Sequence, residues 1–342
     1  MKVGLVRGYW GAGPPIGADE VVTAADDMGF ESVWTGEAWG SDGFSPLVWW
    51  ASKTSRIKLG TGICQISARP PATTAMHAMT LDHLSGGRHI LGLGVSGPQV
   101  VEGWFGQDYA KPLARTREYV EIIRRIFARE GPVEYAGEHY QMPLQGGMGL
   151  GKPLKSIVHP LRADLPIYLG AEGPKNVALA AEIADGWLPV WFSPKLDDHY
   201  REALAEGFAR EGARRTPDDF RVAAPVTIAI DDDIERAADG VRAGLGFYIG
   251  GMGAREMNFH AQLFARMGYE AECEKIQQLF YDGDRDGAIA AVTLDMVQDV
   301  AIVGPEGKVR EDLRRWEQTA LTDILVSGSP ADLRRLKGLV EG

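Results

Sequence analysis

Cysteine is nearly absent: two residues, Cys64 and Cys273, lie far apart in a chain of 342. That excludes a disulfide framework and a thiolate metal cluster, and it suits a reducing compartment. No run approaches the ~20 apolar residues of a membrane span. The opening MKVGLVRG reads as a strand, not as an apolar signal core, so a cytoplasmic protein is expected. Positive charge is also short. Lys and Arg number 36 against 47 Asp and Glu, for a net charge of −11. Such a surface repels a phosphate backbone, and nucleic acid is not an expected partner. Among the seven histidines, His77 and His83 share one predicted helix but lack the i, i+4 spacing of a metal pair, so no metal is expected.

What is present is a core-forming chain, 45% hydrophobic and 24% charged. Strand-like apolar runs occupy 3–7, 32–37, 57–63, 89–95, 166–171, 186–190, 220–230 and 323–327. Most are nearly continuous in apolar character, as strands covered on both faces must be. Amphipathic stretches separate them. In 115–130, for example, Tyr119, Ile123, Ile126 and Phe127 recur at helical spacing. Eight strands with crossover helices predict an α/β fold, a (β/α)8 TIM barrel occupying 1–342 as one domain. A doubly wound sheet is the alternative, because strand order is not written in one sequence. Two stretches exceed a minimal barrel. EYAGEHYQM (134–142) reads as a hairpin leading into a glycine-rich loop, an insertion over 133–164. A mostly helical insertion over 252–295 separates strands seven and eight. It is expected to cap the barrel or to build a subunit interface.

GLGVSG (92–97) fits the dinucleotide fingerprint G-x-G-x-x-G letter for letter. The fingerprint demands a strand before it, a helix opening at its third glycine, and an acid ending the next strand about 20 residues on. HILGLGV supplies the strand. Pro98, Gly103 and Gly106 predict that the next helix starts only near Pro112, and Glu118 falls inside a helix. Two of three demands fail. A nucleophile elbow fails too, since Gly94-Val95-Ser96-Gly97-Pro98 lacks the last glycine of G-x-S-x-G. Position offers a better reading, because barrel active sites lie at the carboxyl ends of strands. Strands three, four and five all end in glycine, as if to admit a flat ligand across the mouth.

YLGAEGPKNVALAAEIADGW (168–187) adds a candidate anion site. Its strand ends at Gly170, and Pro174 suits the first helical position. Free N–H groups beside Gly173 then point to the mouth. The helix is expected to end near Ala184, with Gly186 as a left-handed stop. Asp231–Asp233 read as a helix cap.

LDHLSGGRHILGLGVSG (81–97) and GAEGPKNVALAAEIADGW (170–187) resemble signatures of the luciferase-like monooxygenase superfamily. The nearer likeness is to its branch using the deazaflavin coenzyme F420, which holds methylenetetrahydromethanopterin reductase and F420-dependent glucose-6-phosphate dehydrogenase. SGPQVVEGW (96–104) is similar to an actinobacterial subgroup. The resemblance implies a TIM barrel, a homodimer and a cofactor at the carboxyl-end mouth. It implies a non-prolyl cis peptide at Gly62–Ile63, in a bulge that backs the deazaflavin ring, with Gln65 as a polar contact. It places the cofactor phosphate at Gly170, Ala171, Glu172 and Gly173, and lines the ring or its side chain with the loop holding Ser96, Gly97 and Gln99. Arg7, at the end of strand one, faces either the cofactor or an acidic neighbour; with Glu37 and Pro189 it completes the candidate cofactor set.

The chain departs from its sugar-oxidising relatives, which end strand two in Asp-His. Here Glu37-Ala38 stands there, and Gly97 replaces an acid after strand four. Glu37 and Glu102 are therefore the candidate catalytic groups. Alcohol oxidation by the relatives' machinery is not expected. The expected activity is hydride transfer from reduced F420 to an activated C=C or C=N bond of a small molecule. FMN is the alternative cofactor, in a two-component monooxygenase. A non-catalytic flavin- or deazaflavin-binding protein is a third reading. Trp10, Trp39, Trp104 and Trp191 fall in upper loops and are candidates for an apolar substrate pocket.

Overall fold

The computed structural model describes residues 1–253 and 258–342. Eight strands carry the fold: β1 (Lys2–Gly8), β2 (Ser32–Thr35), β3 (Lys58–Thr61), β4 (His89–Gly94), β5 (Ile167–Gly170), β6 (Gly186–Leu188), β7 (Arg221–Pro225) and β8 (Asp323–Val326). Each pairs in parallel with its neighbour, and β1 pairs with β8 while β3 pairs with β4, so the sheet closes. A short extension, Cys64–Gln65, continues β3 along β4. The strand order removes the doubly wound alternative. Closure also sets aside the dinucleotide unit, which needs an open sheet.

Two cores result. The larger fills the layer between strands and helices. The smaller lies inside the barrel and consists of Trp34, Ile90, Tyr168, Leu188, Ala223 and Leu325, joined by Val6 and Ile63. Trp34 and Tyr168 stack across it with ring centroids 5.6 Å apart. A tryptophan in so narrow an interior needs small residues opposite, and Gly60 is one: a Cβ there would collide with the Trp34 ring.

Three sequence expectations need correction. The run 220–230 is two strands. β7 ends at Pro225, and Ile228–Ile230 leaves the barrel to pair with Ile302–Gly304 in a separate parallel ribbon. A short helix, Pro98–Gly103, opens directly at Gly97, ahead of the helix Pro112–Ala128. Pro98 at its first position explains why. Gly186 is the first residue of β6 rather than a left-handed stop. A Cβ there would lie 2.7 Å from the Arg221 carbonyl oxygen and 2.9 Å from the Tyr168 ring, so closeness of neighbours selects glycine.

Within the predicted hairpin, Tyr135–Ala136 pairs antiparallel with Gln141–Met142. Between β7 and β8 lie the helices Ile234–Gly251, Phe259–Arg266, Glu270–Tyr281, Arg285–Ala290, Leu294–Val300 and Glu306–Glu317. Residues 254–257 of the insertion expected over 252–295 lie outside the described residues. Asp233 caps the first of these helices, its carboxylate accepting from the Glu235 and Arg236 amides.

Candidate active site

The carboxyl end of β3 is the most constrained part of the mouth. The Gly62–Ile63 peptide is cis. Beyond it, Gln65 is buried and doubly held: its backbone N–H donates to the Glu37 carboxylate (2.8 Å) and its side-chain amide to the Glu37 carbonyl (3.0 Å). Arg69 grips the same carboxylate with both terminal nitrogens, at 2.5 and 3.0 Å. The Arg69 carbonyl accepts in turn from the Tyr119 hydroxyl at 3.0 Å. Glu37 is therefore a brace under the bulge. Both of its oxygens are bonded, and its side chain is only 4% exposed. That geometry suits a positioning role better than the proton transfer expected of it. Gln65 Oε1 is different: it is buried without any partner. Leaving such an acceptor unsatisfied costs about 1–3 kcal/mol, so a ligand donor is the natural complement.

The strand-end glycines turn out to serve two purposes. Those at Gly92, Gly94 and Gly170 make room for protein. Cβ atoms at Gly94 and Gly170 would lie 2.8 and 3.1 Å from the Ile63 side chain, which fills that space. Gly97 and Gly173 are the open positions. A Cβ on Gly173 meets nothing within 4 Å, and one on Gly97 meets only Gln99 Oε1, at 3.2 Å. Gly173 caps the helix Pro174–Ile183, with its carbonyl accepting from the Asn176 and Val177 amides. The expected anion cradle is thus sterically free. Beside it, Ala171 is buried, its carbonyl accepting from Trp187 Nε1 (2.8 Å), which makes Trp187 a core residue. Glu172 Oε1 accepts from the Val190 amide at 2.8 Å, just after buried Pro189. Burial raises the Glu172 carboxyl to about 7, with Arg266 opposing the shift.

The remaining candidates spread around the rim. Arg7 lies where the β1–β2 register shifts between Val6 and Gly8. Its Nε is buried without a partner, and burial lowers its pKa. Ser96 adopts a left-handed φ of 58° and its carbonyl accepts from the Tyr109 hydroxyl. Gln99 and Glu102 are exposed on the short helix after β4. Trp10 is half-buried and its backbone N–H donates to Ser41 Oγ, while Trp39 and Trp104 are exposed. Trp191 is half-buried with its indole N–H unpartnered. Among the described residues no group of three metal-ligating side chains forms.

Four residues of the mouth escaped the sequence reading. Arg69, after the bulge in Ser67-Ala68-Arg69-Pro70, could have been suspected as a charge immediately following a strand end. Tyr9 sits between two residues that were singled out. Tyr248 and His260 come from beyond β7 and carry no sequence signal of their role.

The family model for luciferase-like monooxygenases matches residues 11–323. A Mycobacterium tuberculosis protein bearing the name "putative coenzyme F420-dependent oxidoreductase" is 55% identical over 343 residues, covering 99% of this chain and 99% of its own. The 5,10-methylenetetrahydromethanopterin reductase of Archaeoglobus fulgidus is 32% identical, covering 90% and 88% of the two chains. The structure of the coenzyme F420 dependent tetrahydromethanopterin reductase of Methanopyrus kandleri superposes with a TM-score of 0.80 at 25% identity, covering 100% and 99%.

Proposed function

The chain belongs to the luciferase-like monooxygenase family, and from that premise we propose that it is a coenzyme F420-dependent oxidoreductase reducing an activated C=C or C=N bond of a small organic substrate. The observation that carries the reading is the braced bulge with its unpartnered Gln65 oxygen. An imide N–H on the edge of a flat ring is the donor that would satisfy it. Gly62, Ile63 and Gln65 would back the ring, with Ser96, Gly97 and Gln99 beside it and Arg7 and Pro189 at its margins. The amides around Gly170–Gly173 would hold its phosphate. The deazaflavin, when bound, supplies hydride chemistry; the protein orients the substrate and excludes water. Trp10, Trp39, Trp104 and Trp191 are proposed to line the substrate side.

We read 1–342 as one barrel domain with insertions over 133–164 and 252–295. Leu144, Met148, Leu150 and Ile157 on the first insertion and Trp49, Met76 and Leu84 on nearby helices are exposed. So much exposed apolar surface supports self-association as a homodimer. Among the described residues no helix is long and apolar enough to cross a membrane, and both cysteines are free thiols. These features support a cytoplasmic location.

The test is a fluorescence titration of the purified protein with F420 and with FMN. Micromolar or tighter binding of F420 with weak binding of FMN is expected. Preference for FMN overturns the cofactor assignment and makes oxygen uptake the next assay.

Glu172 adds a pH dependence. Its carboxyl is neutral below about pH 7 and anionic above it, next to the phosphate cradle. F420 affinity should fall by up to about tenfold as pH rises through 7, as expected for one added like charge nearby. Glu172→Gln should flatten that profile. The same shift means that the fold binds this proton more tightly than the unfolded chain. Its contribution to stability is therefore full below the ordinary carboxyl pKa and is lost as pH rises through 7.

A further inference from the structure

The segment between β7 and β8 brings an ordered polar cluster to the mouth. Tyr248, near the end of the helix Ile234–Gly251, brings its phenol close to that of Tyr9. Its ring meets Trp191 edge-on, with centroids 5.5 Å apart, and His260 edge-on at 4.8 Å. Asn258 locks the corner. Its amide donates to the Tyr248 and Ile249 carbonyls at 3.0 and 2.8 Å, and its Oδ1 caps the helix Phe259–Arg266. Tyr9 follows β1 and is 43% exposed. Gly36 is the common neighbour of Tyr9 and the bulge. A Cβ there would lie 3.3 Å from the Tyr9 amide nitrogen, 3.4 Å from its ring and 3.4 Å from the Gly62 carbonyl oxygen. Tyr9 therefore stands beside the wall assigned to the cofactor ring.

The proposed reduction needs a proton as well as a hydride, and the expected sources are poorly placed. Glu37 is fully bonded to Arg69 and Gln65. Ala38 carries no proton, and Glu102 is exposed on the rim helix. We propose that Tyr9 is the proton donor of this site, with Tyr248 as its positioning residue, and that the substrate is a conjugated carbonyl or imine whose acceptor atom lies against the Tyr9 hydroxyl. The inference rests on the F420 reading above.

The step balances as follows. A C–H bond forms at the acceptor carbon from the hydride of reduced F420, the C=C or C=N π pair moves away from that carbon, and the atom that receives the charge takes the Tyr9 proton. The substrate is reduced by two electrons and the cofactor oxidised by two. The Tyr9 phenolate is held by the Tyr248 hydroxyl until water on its exposed side returns a proton. Burial keeps the Tyr248 phenol neutral and able to donate. Burial likewise lowers the His260 imidazole to about 4, so at neutral pH it packs as an uncharged ring and is not the acid.

The experiment uses the full chain, with 4-nitrophenol as the probe because its bound ionisation state is visible by absorbance. Wild type should bind it with a shifted spectrum, and Tyr9→Phe should weaken binding by about tenfold, the loss of one hydrogen bond to a charged oxygen. Tyr248→Phe should retain part of the effect. In parallel, oxidation of reduced F420 by cyclohex-2-enone should slow by ~10²–10⁴-fold in Tyr9→Phe, the range for a lost general acid, while F420 affinity stays at the wild-type value. If Tyr9→Phe binds 4-nitrophenol and turns over as wild type does, Tyr9 is not the donor. Failure of wild type to bind F420 would instead overturn the cofactor reading, and the phenol titration would still decide on Tyr9.

Discussion

Gly92→Ala should yield no folded barrel. The added Cβ would overlap the Thr61 carbonyl oxygen and lie 3.0 Å from its carbon and 2.9 Å from Leu188 Cδ1. The obstacle is backbone. Thr61 Oγ1 donates to the Gly92 carbonyl and accepts from the Gly92 amide, both at 2.8 Å, and these bonds pin β3 to β4. Neither strand can move aside without opening the barrel at its closing seam. A side-chain overlap in a core costs typically 1–3 kcal/mol, and one against fixed backbone costs more, enough to remove most of a domain's ~5–15 kcal/mol. Soluble yield, size-exclusion profile and far-UV circular dichroism measure the outcome. A monodisperse variant with a wild-type melting curve would contradict it. Gly173→Ala is the contrasting case. Its φ of −88° suits any residue and the added methyl meets nothing within 4 Å. It should fold as wild type does, yet bind F420 about tenfold more weakly, since the cradle works through close backbone approach. Equal affinity in that variant would move the phosphate elsewhere.

Glu37→Gln should destabilise the protein by about 3–5 kcal/mol, the usual cost of leaving one member of a buried ion pair uncompensated. The substitution keeps size and shape, so the loss reports charge. Arg69 would remain as a guanidinium with a side chain 14% exposed and no carboxylate. The Gln65 amide would also lose its anionic acceptor. Folded Glu37→Gln should bind F420 more weakly as well, because the bulge loses its brace. Replacing both partners together, Glu37→Leu with Arg69→Leu, should cost less than the two single losses added, since no orphaned charge remains. Chemical denaturation midpoints of wild type, Glu37→Leu, Arg69→Leu and the double variant close the cycle. A near-zero coupling energy would show that the pair does not hold the bulge.

Both predictions concern contacts between segments about 30 residues apart in sequence, and this separation marks where the sequence stopped being legible. The strand-end glycines were visible as a pattern, and the pattern suggested one cause, a flat ligand. Their neighbours supply two. Trp34 and Ile63 reach across to Gly60, Gly94 and Gly170, and only Gly97 and Gly173 stand open. Nothing local distinguishes these cases, because a glycine records only that something comes close. Glu37 shows the same limit. Its position after strand two was readable, and so was its carboxylate, but its partner Arg69 was not. A brace and a catalytic acid look alike until the opposing charge is located.

By itself the sequence determined what short-range physics determines. Continuous apolar runs marked eight strands buried on both faces, Pro174 marked a helix start, and Asp233 a cap. The signatures at 81–97 and 170–187 pointed to the family whose model covers residues 11–323. The tertiary structure decided strand order and closure, the division of 220–230 between barrel and ribbon, and the partners of Glu37. It also decided that Tyr248 reaches the mouth, close to Tyr9 and packed edge-on against Trp191 and His260. Propensity, capping and apolar periodicity act within a few residues of each side chain. Juxtaposition across the barrel depends on how every intervening element packs, which is why the identity of the wall was carried by the fold and not by any stretch of the chain.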